Sequence, residues 1–553
     1  MIFSFLSPGR QGLLSIALCF TAAFSSAQSP INWSRSLGGS NYEDGYYISA
    51  TDDGGSILAG KTQSLDGDVT GLHGTGSTFD VWIVKLDNAG IIQWQKTFGG
   101  TESEEAHWVQ QTADGGYIVA GSTSSQDGDV SFSHGTNDPA HAVKDAWLLK
   151  LSAAGVLEWE KTFGGNRYDA FFSVDQTSDH GYFIGGQTES NNDDVSGNHD
   201  TTGLTYDAWA VKTDSAGNIQ WQKTYGGTAA NGEGFYGVQQ AADGGYIAGG
   251  YTYSNNGDVS GNHGGIDAWI LKLDTAGTIQ WQKVLGGSTG GSTGELVKSI
   301  RQTADGGYIA ACFAASADGD ITGFHGGVYD AWALKLDAAG NLQWQHAMGG
   351  SGAENGNFII QTTDGGYMMA VGSTSNNGDV SGAHGSLDAW LVKLNSAGAI
   401  VWQKPMGGGG YEDSKCVTQT ATGDFIFLGI NSGNGGDVTG WHGPGFNGDI
   451  WVVNFSVPLN VGINDPEGNV SFCSVFPSPS GDAASLSYTL ENPSKATLCI
   501  LDLQGKVMVS EDLGLQAKGD HLKQLDLRTL AQGMYILQLR TAAECLVSKL
   551  VRQ

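Results

Sequence analysis

Two side chains able to ligate a metal or anchor a buried hydrogen bond recur seven times at one spacing. An aspartate in a GDVSGxHG-like context stands at Asp68, Asp129, Asp194, Asp258, Asp320, Asp379 and Asp437. A histidine follows five residues later each time, at His73, His134, His199, His263, His325, His384 and His442. Carboxylate and imidazole both bind metals, so the pair predicts calcium in the Asp-rich loops or, failing that, a His-centred transition metal. A feature present in every copy also fits a structural network, and that is the leading expectation. The distance from each His to the Asp of a following Asp-x-Trp motif varies from 4 to 11 residues. A fixed turn is therefore followed by a loop of variable length.

A second acid lies ten residues before each Asp-Gly-Gly-type turn, at Glu43, Glu104, Asp169, Glu233, Glu295, Glu354 and Glu412. Held at one level, seven like charges would raise one another's pKa and attract a cation or cationic ligand. Pairing with the repeat lysines Lys85, Lys150, Lys212, Lys272, Lys335 and Lys393 is the competing expectation.

The elements that must position these residues are set by tryptophan. Asp-x-Trp places Trp82, Trp147, Trp209, Trp269, Trp332, Trp390 and Trp451 about 61 residues apart on average. A second series runs Trp33, Trp94, Trp159, Trp221, Trp281, Trp344 and Trp402, so 14 of the 16 tryptophans occupy two phases of one repeat. Each unit holds four strand-like segments; in the second these are Glu105–Thr112, Tyr117–Ser122, Asp145–Leu151 and Val156–Phe163. Glycine in the intervening turns, as in Ala113-Asp114-Gly115-Gly116, permits the positive φ of tight hairpins. Four short antiparallel strands per unit predict a propeller blade. The repeat begins at Trp33 with the last strand type and ends at Trp451 with the third, so the N-terminal strand can complete the final blade. The prediction is an all-β fold: a seven-bladed propeller closed by its first strand, then a small β-sandwich.

Up-and-down strands put the Asp-Gly-Gly and Ala-Gly turns on one face. The long Asp–His loop and the Gly-Gly interblade loop fall on the other, which is the expected binding face. If the first strand of each unit is innermost, the second set of acids rings the channel mouth on that face.

Leu336-Asp337-Ala338-Ala339-Gly340-Asn341-Leu342-Gln343-Trp344 resembles the repeats of quinoprotein-dehydrogenase propellers, whose Trp docks against a neighbouring blade. The resemblance covers about fifteen residues per unit and implies a fold, with no quinone pocket to match. The Asp, His and Trp of every unit are similar to the buried network of WD-repeat propellers, which supports the structural expectation for the Asp–His turn.

Catalytic motifs are weak. Gly286-Gly287-Ser288-Thr289-Gly290 matches GxSxG but sits in a glycine-rich loop without a following helix, so the nucleophile-elbow context fails. Paired carboxylates for glycoside cleavage occur in every unit and none stands apart. One unit whose acids, His or Tyr depart from the repeat and converge in the channel would favour an enzyme, whereas uniform units favour binding.

The formal charge of −30 disfavours nucleic acid and anionic membrane as partners. At the N-terminus Arg10, an apolar run Leu13–Phe24 and Ser25-Ser26-Ala27 read as a signal peptide over residues 1–27. No later apolar stretch is long enough to span a bilayer. Cys312, Cys416, Cys473, Cys499 and Cys545 then remain, an odd and widely spaced set that is neither a disulfide scaffold nor a zinc site. A bridge among the last three stays open.

The repeat spans residues 28–457 and stops at a linker over 458–471. Beyond it come Val475-Phe476-Pro477-Ser478-Pro479, Asp502-Leu503-Gln504-Gly505-Lys506, Gly533-Met534-Tyr535 and a basic, apolar end. Residues 472–553 resemble the type A sorting domain of type IX secretion, with FPSP in place of its YPNP. The resemblance implies recognition by the type IX machinery, export across both membranes of a Bacteroidota-type cell, and release or attachment at the outer surface. The expected function is an extracellular, non-enzymatic propeller that binds a glycan or a protein. The alternative is a propeller hydrolase or lyase acting on polysaccharide.

Overall fold

The computed structural model describes residues 31–134, 144–200, 205–288, 294–443, 447–457, 470–476, 481–490, 492–501, 507–541 and 545–552. The expected signal peptide, most of the linker, and the FPSP and DxxGK motifs' central residues lie outside these. The chain divides into two compact units, Met1–Ser456 and Val457–Gln553.

Strands of the first unit pair into seven four-stranded antiparallel sheets. In the second sheet the strands are Glu104–Gln111, Tyr117–Thr123, Asp145–Leu151 and Leu157–Phe163, within a residue of the sequence expectation. The first strands of successive sheets touch one another, and Glu412–Gln419 touches Glu43–Ala50, so the sheets close into a ring around a channel. Ile31–Leu37 pairs antiparallel with Asp449–Phe455 and completes the last sheet. Closure thus covers the edge that strand would otherwise leave open.

Burial explains why each strand has its residues. The third strand is buried along its whole length, as in Asp145–Leu151, and its Trp is fully enclosed. Its indole N–H needs a partner there; Trp332 Nε1 donates to Gln345 and Trp209 Nε1 to Gln222 at 3.0 Å. The second Trp series docks across blades. Trp33 Nε1 donates to Asn88 O of the next sheet at 3.0 Å. A Cβ on Gly90 would lie 2.7 Å from the Trp33 ring, and Gly90 has a φ of +74°. The Ala-Gly turn therefore needs glycine twice over, for its backbone and for its neighbour's tryptophan.

The first strand of every sheet carries a register shift at one position. Pairing jumps from Gly45 to Tyr47, Ala106 to Trp108, Phe171 to Ser173, and likewise in the other four sheets. The skipped residue in each case is three after the repeated acid. A bulge of this kind re-aims its side chain out of the ladder.

The second unit forms two sheets. Val470–Phe476, Ala483–Leu490 and Gly519–Asp526 make one; Val507–Gln516, Ser494–Leu501, Gly533–Arg540 and Cys545–Arg552 make the other. Alternating side chains such as Leu486, Tyr488, Leu498, Leu537 and Leu539 build its core. The strand Val507–Gln516 is absent from the sequence pattern because it alternates little and is mostly exposed. Among the described residues no helix is long and apolar enough to cross a membrane.

Candidate ligand site in the channel

The repeated acids do not line a channel mouth. Glu43, Glu104, Asp169, Glu233, Glu295, Glu354 and Glu412 are all fully buried. Each accepts a hydrogen bond from the second glycine N–H of the interblade loop, for example Gly39 to Glu43 and Gly350 to Glu354, both at 2.9 Å. Most also accept from a Thr or Ser hydroxyl closing the second strand, as Thr62 does for Glu43 at 2.6 Å. Burial pushes the Glu43, Glu104, Glu233, Glu295 and Glu412 carboxyls above their ordinary range, and Asp169 up to about 7. They staple loops, so neither a cation-binding ring nor lysine pairing describes them.

The repeat lysines go elsewhere. Lys85 meets Asp53 at 2.8 Å, Lys150 meets Asp114 at 2.9 Å, and the other four repeat the contact with Asp179, Asp243, Asp305 and Asp364. These aspartates belong to the Asp-Gly-Gly turns on the opposite face. In the last sheet Thr422 and Asn454 replace the pair together.

The Asp–His turn is wired differently from its spacing. His73 does not pair with Asp68. Its backbone N–H and Nδ1 meet Asp80 of its own Asp-x-Trp at 2.9 and 2.7 Å, while Nε2 approaches Asp129 of the next blade at 3.4 Å. His134, His199, His263 and His325 repeat both contacts, reaching Asp194, Asp258, Asp320 and Asp379. His442 keeps the near contact with Asp449, and His384 reaches Asp388 through its backbone N–H. Asp68 instead caps Gly38 N of the interblade loop at 3.3 Å, and its own N–H donates to Gly38 O at 2.8 Å. Asp437 lies 3.7 Å from Lys404. The two carboxylates beside His134 outweigh its burial and push it up to about 10. Among the described residues no three His, Cys, Asp or Glu side chains converge as a metal set. Cys312, Cys416 and Cys499 are buried free thiols, so Cys499 forms no bridge.

The chemistry concentrates at the bulged positions. One per blade, they are Tyr46, His107, Phe172, Tyr236, Lys298, Asn357 and Lys415, and all seven line a cavity of about 260 Å³ in the channel. Their rings touch in sequence around the wall: Tyr46 to His107 at 4.8 Å, His107 to Phe172 at 5.0 Å, Phe172 to Tyr236 at 5.1 Å. Lys298 Nζ then lies 4.4 Å from the Tyr236 ring centre, and Lys415 Nζ closes the circuit 5.9 Å from Tyr46. One residue deeper on the same strands, Tyr47 stacks on Trp108 at 3.6 Å. Arg301 lies 4.7 Å from Trp108 and 5.4 Å from Phe358, and Tyr47, Trp108 and Phe358 line the same cavity.

Charged groups surround the ring. Glu105 meets Lys144 at 2.6 Å and Lys61 at 3.2 Å; Asp413 meets Lys415 at 3.1 Å, with Asp44 at 3.8 Å from it. Burial alone would raise Glu105, but His107, Lys144 and Lys61 outweigh it and hold the carboxyl at about 2. Burial pushes His107 down to about 4, so its imidazole is neutral at pH 7, and raises the Tyr46 phenol far above its ordinary value. The sequence signal for this site was available in part: the inner strand varies between blades after its repeated acid, and the bulged positions are among those that fail to repeat.

Residues 474–553 match the family described as the secretion system C-terminal sorting domain. The chain carries a type IX sorting domain. It is exported through type IX secretion and is released from, or attached to, the outer cell surface. Among curated proteins, the regulatory protein FlaEY of Caulobacter vibrioides is 24% identical over 136 residues, which is 24% of this chain and 14% of that protein. Solved structures are similar only at low identity. YCF48 bound to D1 peptide is 9% identical, with 78% of this chain and 96% of that chain covered and a TM-score of 0.39. PorZ, a surface component of the type-IX secretion system of Porphyromonas gingivalis, is 9% identical over 94% and 75% of the two chains at a TM-score of 0.27. NanB sialidase from Streptococcus pneumoniae is 10% identical over 78% and 70% at 0.37. At these values the propeller rests on the strand pairing itself.

Proposed function

We propose that this exported propeller is an extracellular binding module whose ligand, a glycan, seats in the channel against the bulged ring. The observation that carries the reading is the break in the repeat at seven consecutive bulges. Four contiguous rings supply flat apolar faces of the kind that pack on sugar C–H surfaces, and amide, imidazole and ammonium groups supply orienting polar contacts. A protein ligand is the other outcome of the same test. The mature chain, applied to a glycan array, should retain a defined set of glycans. Phe172→Ala should lower that retention by about tenfold, a typical cost for one aromatic contact, while the ring of sheets stays folded with a melting temperature only slightly lower. Retention unaffected by Phe172→Ala would remove the channel as the site.

The second reading, cleavage of polysaccharide, is favoured by one contact: Tyr46 Oη lies 3.4 Å from Glu105, beside His107. Departure from the repeat was the mark expected of an enzyme. Here, however, it is spread over all seven blades, and Glu105 and Tyr46 are fixed in one protonation state far from neutrality. General acid–base catalysis works best with groups poised near the working pH. Binding therefore ranks first. New reducing ends or unsaturated uronate ends after incubation with the retained glycans, lost in Tyr46→Phe, would reverse the ranking.

A further inference from the structure

Four lysines surround the channel ring in a chain whose net charge is −30. Three of them are ion-paired: Lys61 and Lys144 share Glu105, and Lys415 lies between Asp413 and Asp44. Lys298 is different. Among the described residues it has neither an ion pair nor a hydrogen bond, only the Tyr236 face at 4.4 Å and Phe313 at 6.0 Å.

The inner strands show why. In the last sheet the acid Asp413 stands two residues before Lys415; in the second, Glu105 stands two before His107; in the first, Asp44 stands two before Tyr46. At that position in the fifth sheet is Leu296. The blade that presents the lysine lacks the carboxylate that would answer it. The adjoining interblade segment, residues 289–293, reads Thr-Gly-Gly-Ser-Thr and contributes no acid either. Around the ring, four cations face three anions, and Lys298 is the cation that no carboxylate contacts directly among the described residues. Such an ammonium, enclosed by aromatic walls yet still reached by solvent, is costly to leave unpaired. Burial and the nearby Lys415 outweigh the more distant pull of Asp413 and push its pKa down to about 8.

We propose that Lys298 is the docking point for an anionic substituent, a carboxylate or a sulfate, on the glycan bound in the channel. This rests on the channel being the glycan site. A sugar ring packed against Phe172 and Tyr236 brings its substituents toward the ammonium held over Tyr236. The ion pair then forms inside the channel, where charge-assisted hydrogen bonds are stronger than in open water. The acidic protein thus takes an acidic ligand, because the local balance at the ring is opposite to the global one.

The test uses the mature chain on an array of oligogalacturonate, its methyl ester, sialylated glycans, sulfated galactans and their desulfated forms. Carboxylated or sulfated members should be retained and their neutral counterparts should not. Retention of the uronates or of the sulfated set tells which anion is taken. Lys298→Met, which keeps the apolar stem, should weaken retention by about tenfold or more, the effect of one charge-assisted contact. Lys298→Arg should recover most of it. Equal binding of acidic and neutral members, untouched by Lys298→Met but abolished by Phe172→Ala, would overturn the anion proposal and leave the channel site standing. No retained glycan at all would overturn both.

Discussion

The bulged ring and the frame that carries it are built from the same seven strands, yet they obey opposite rules. At the first position of the inner strand six blades have Glu and one has Asp, each buried and each holding the same glycine N–H. Three residues on, at the bulge, the blades have Tyr, His, Phe, Tyr, Lys, Asn and Lys. The frame repeats because each blade must pack against an identical neighbour. The ring varies because a bulged side chain has left the ladder and faces the channel, where its neighbours are other ring residues and no repeated partner. Uniform carboxylates, however suggestive as a binding ring, turn out to be the loops' own fasteners.

The widest separation between the two regions should come from a frame tryptophan. Trp332→Ala removes a fully buried indole whose N–H is satisfied by Gln345. It should cost about 3 to 5 kcal/mol, read as a lower melting temperature for the whole ring because closure couples the blades. Phe172→Ala, on the bulge, should cost only about 1 to 2 kcal/mol, the loss of its ring contacts with His107 and Tyr236. Comparable losses from the two would erase the distinction between frame and ring.

The frame was legible in the sequence because it is periodic. Trp phases, Asp-Gly-Gly turns and the split of strand types between Trp33 and Trp451 predict the sheets, their order and the closing strand. Partner identity was not legible. Spacing of five residues joins Asp68 to His73 on paper, whereas the fold sends His73 to Asp80 and across to Asp129. Repeated lysines and repeated acids invite pairing, but they lie on opposite faces. The ring escaped because attention to what recurs passes over what does not, and because a bulge shifts side-chain direction without changing the strand pattern. In the C-terminal unit, the ordered motifs gave the family while Val507–Gln516, little alternating, was missed.

A smaller effect distinguishes hydrogen-bond wiring from metal binding within the frame. His263 Nδ1 lies 2.9 Å from Asp267, and its Nε2 is 3.8 Å from Asp320. His263→Ala leaves Asp267 only the backbone N–H of residue 263, which donates at 2.6 Å. The loss should be about 1 to 2 kcal/mol, at the modest end for a buried partner because the imidazole is partly exposed. A chelator should leave the melting curve where it was. If calcium were held by Asp258 and its equivalents, chelation would lower the curve and added calcium would restore it. A chelator response larger than that of His263→Ala would replace the network with a metal site.

An effect confined to a narrow pH window concerns Asp169, the one short acid among the seven. Its carboxyl is buried and accepts from Gly165 N at 2.9 Å, from Ser190 Oγ at 2.8 Å and from Thr188. Burial outweighs these donors and pushes it up to about 7, against about 3.9 for a solvated aspartate. A pKa raised on folding means that the folded state holds the proton more tightly. The stabilising contribution is then complete below pH 4 and drains away as pH rises toward 7. Wild type should therefore lose about 2 to 3 kcal/mol between pH 5 and 8 relative to Asp169→Asn, which cannot titrate. The asparagine variant starts from a lower stability, since its amide meets the Gly165 N–H donor to donor, so the readout is the slope of melting temperature against pH and not its level. The turn aspartates give the contrast on the other face. Hydrogen bonds from the turn threonine, the repeat lysine and a glycine N–H outweigh burial and hold Asp53, Asp114, Asp179 and Asp305 at about 2, so their contribution is present above pH 4 and is lost only as pH falls toward 2. Between pH 5 and 8 they are silent, and any difference in slope belongs to Asp169. Parallel slopes for wild type and Asp169→Asn would mean that the three donors keep this carboxylate ionised despite its burial.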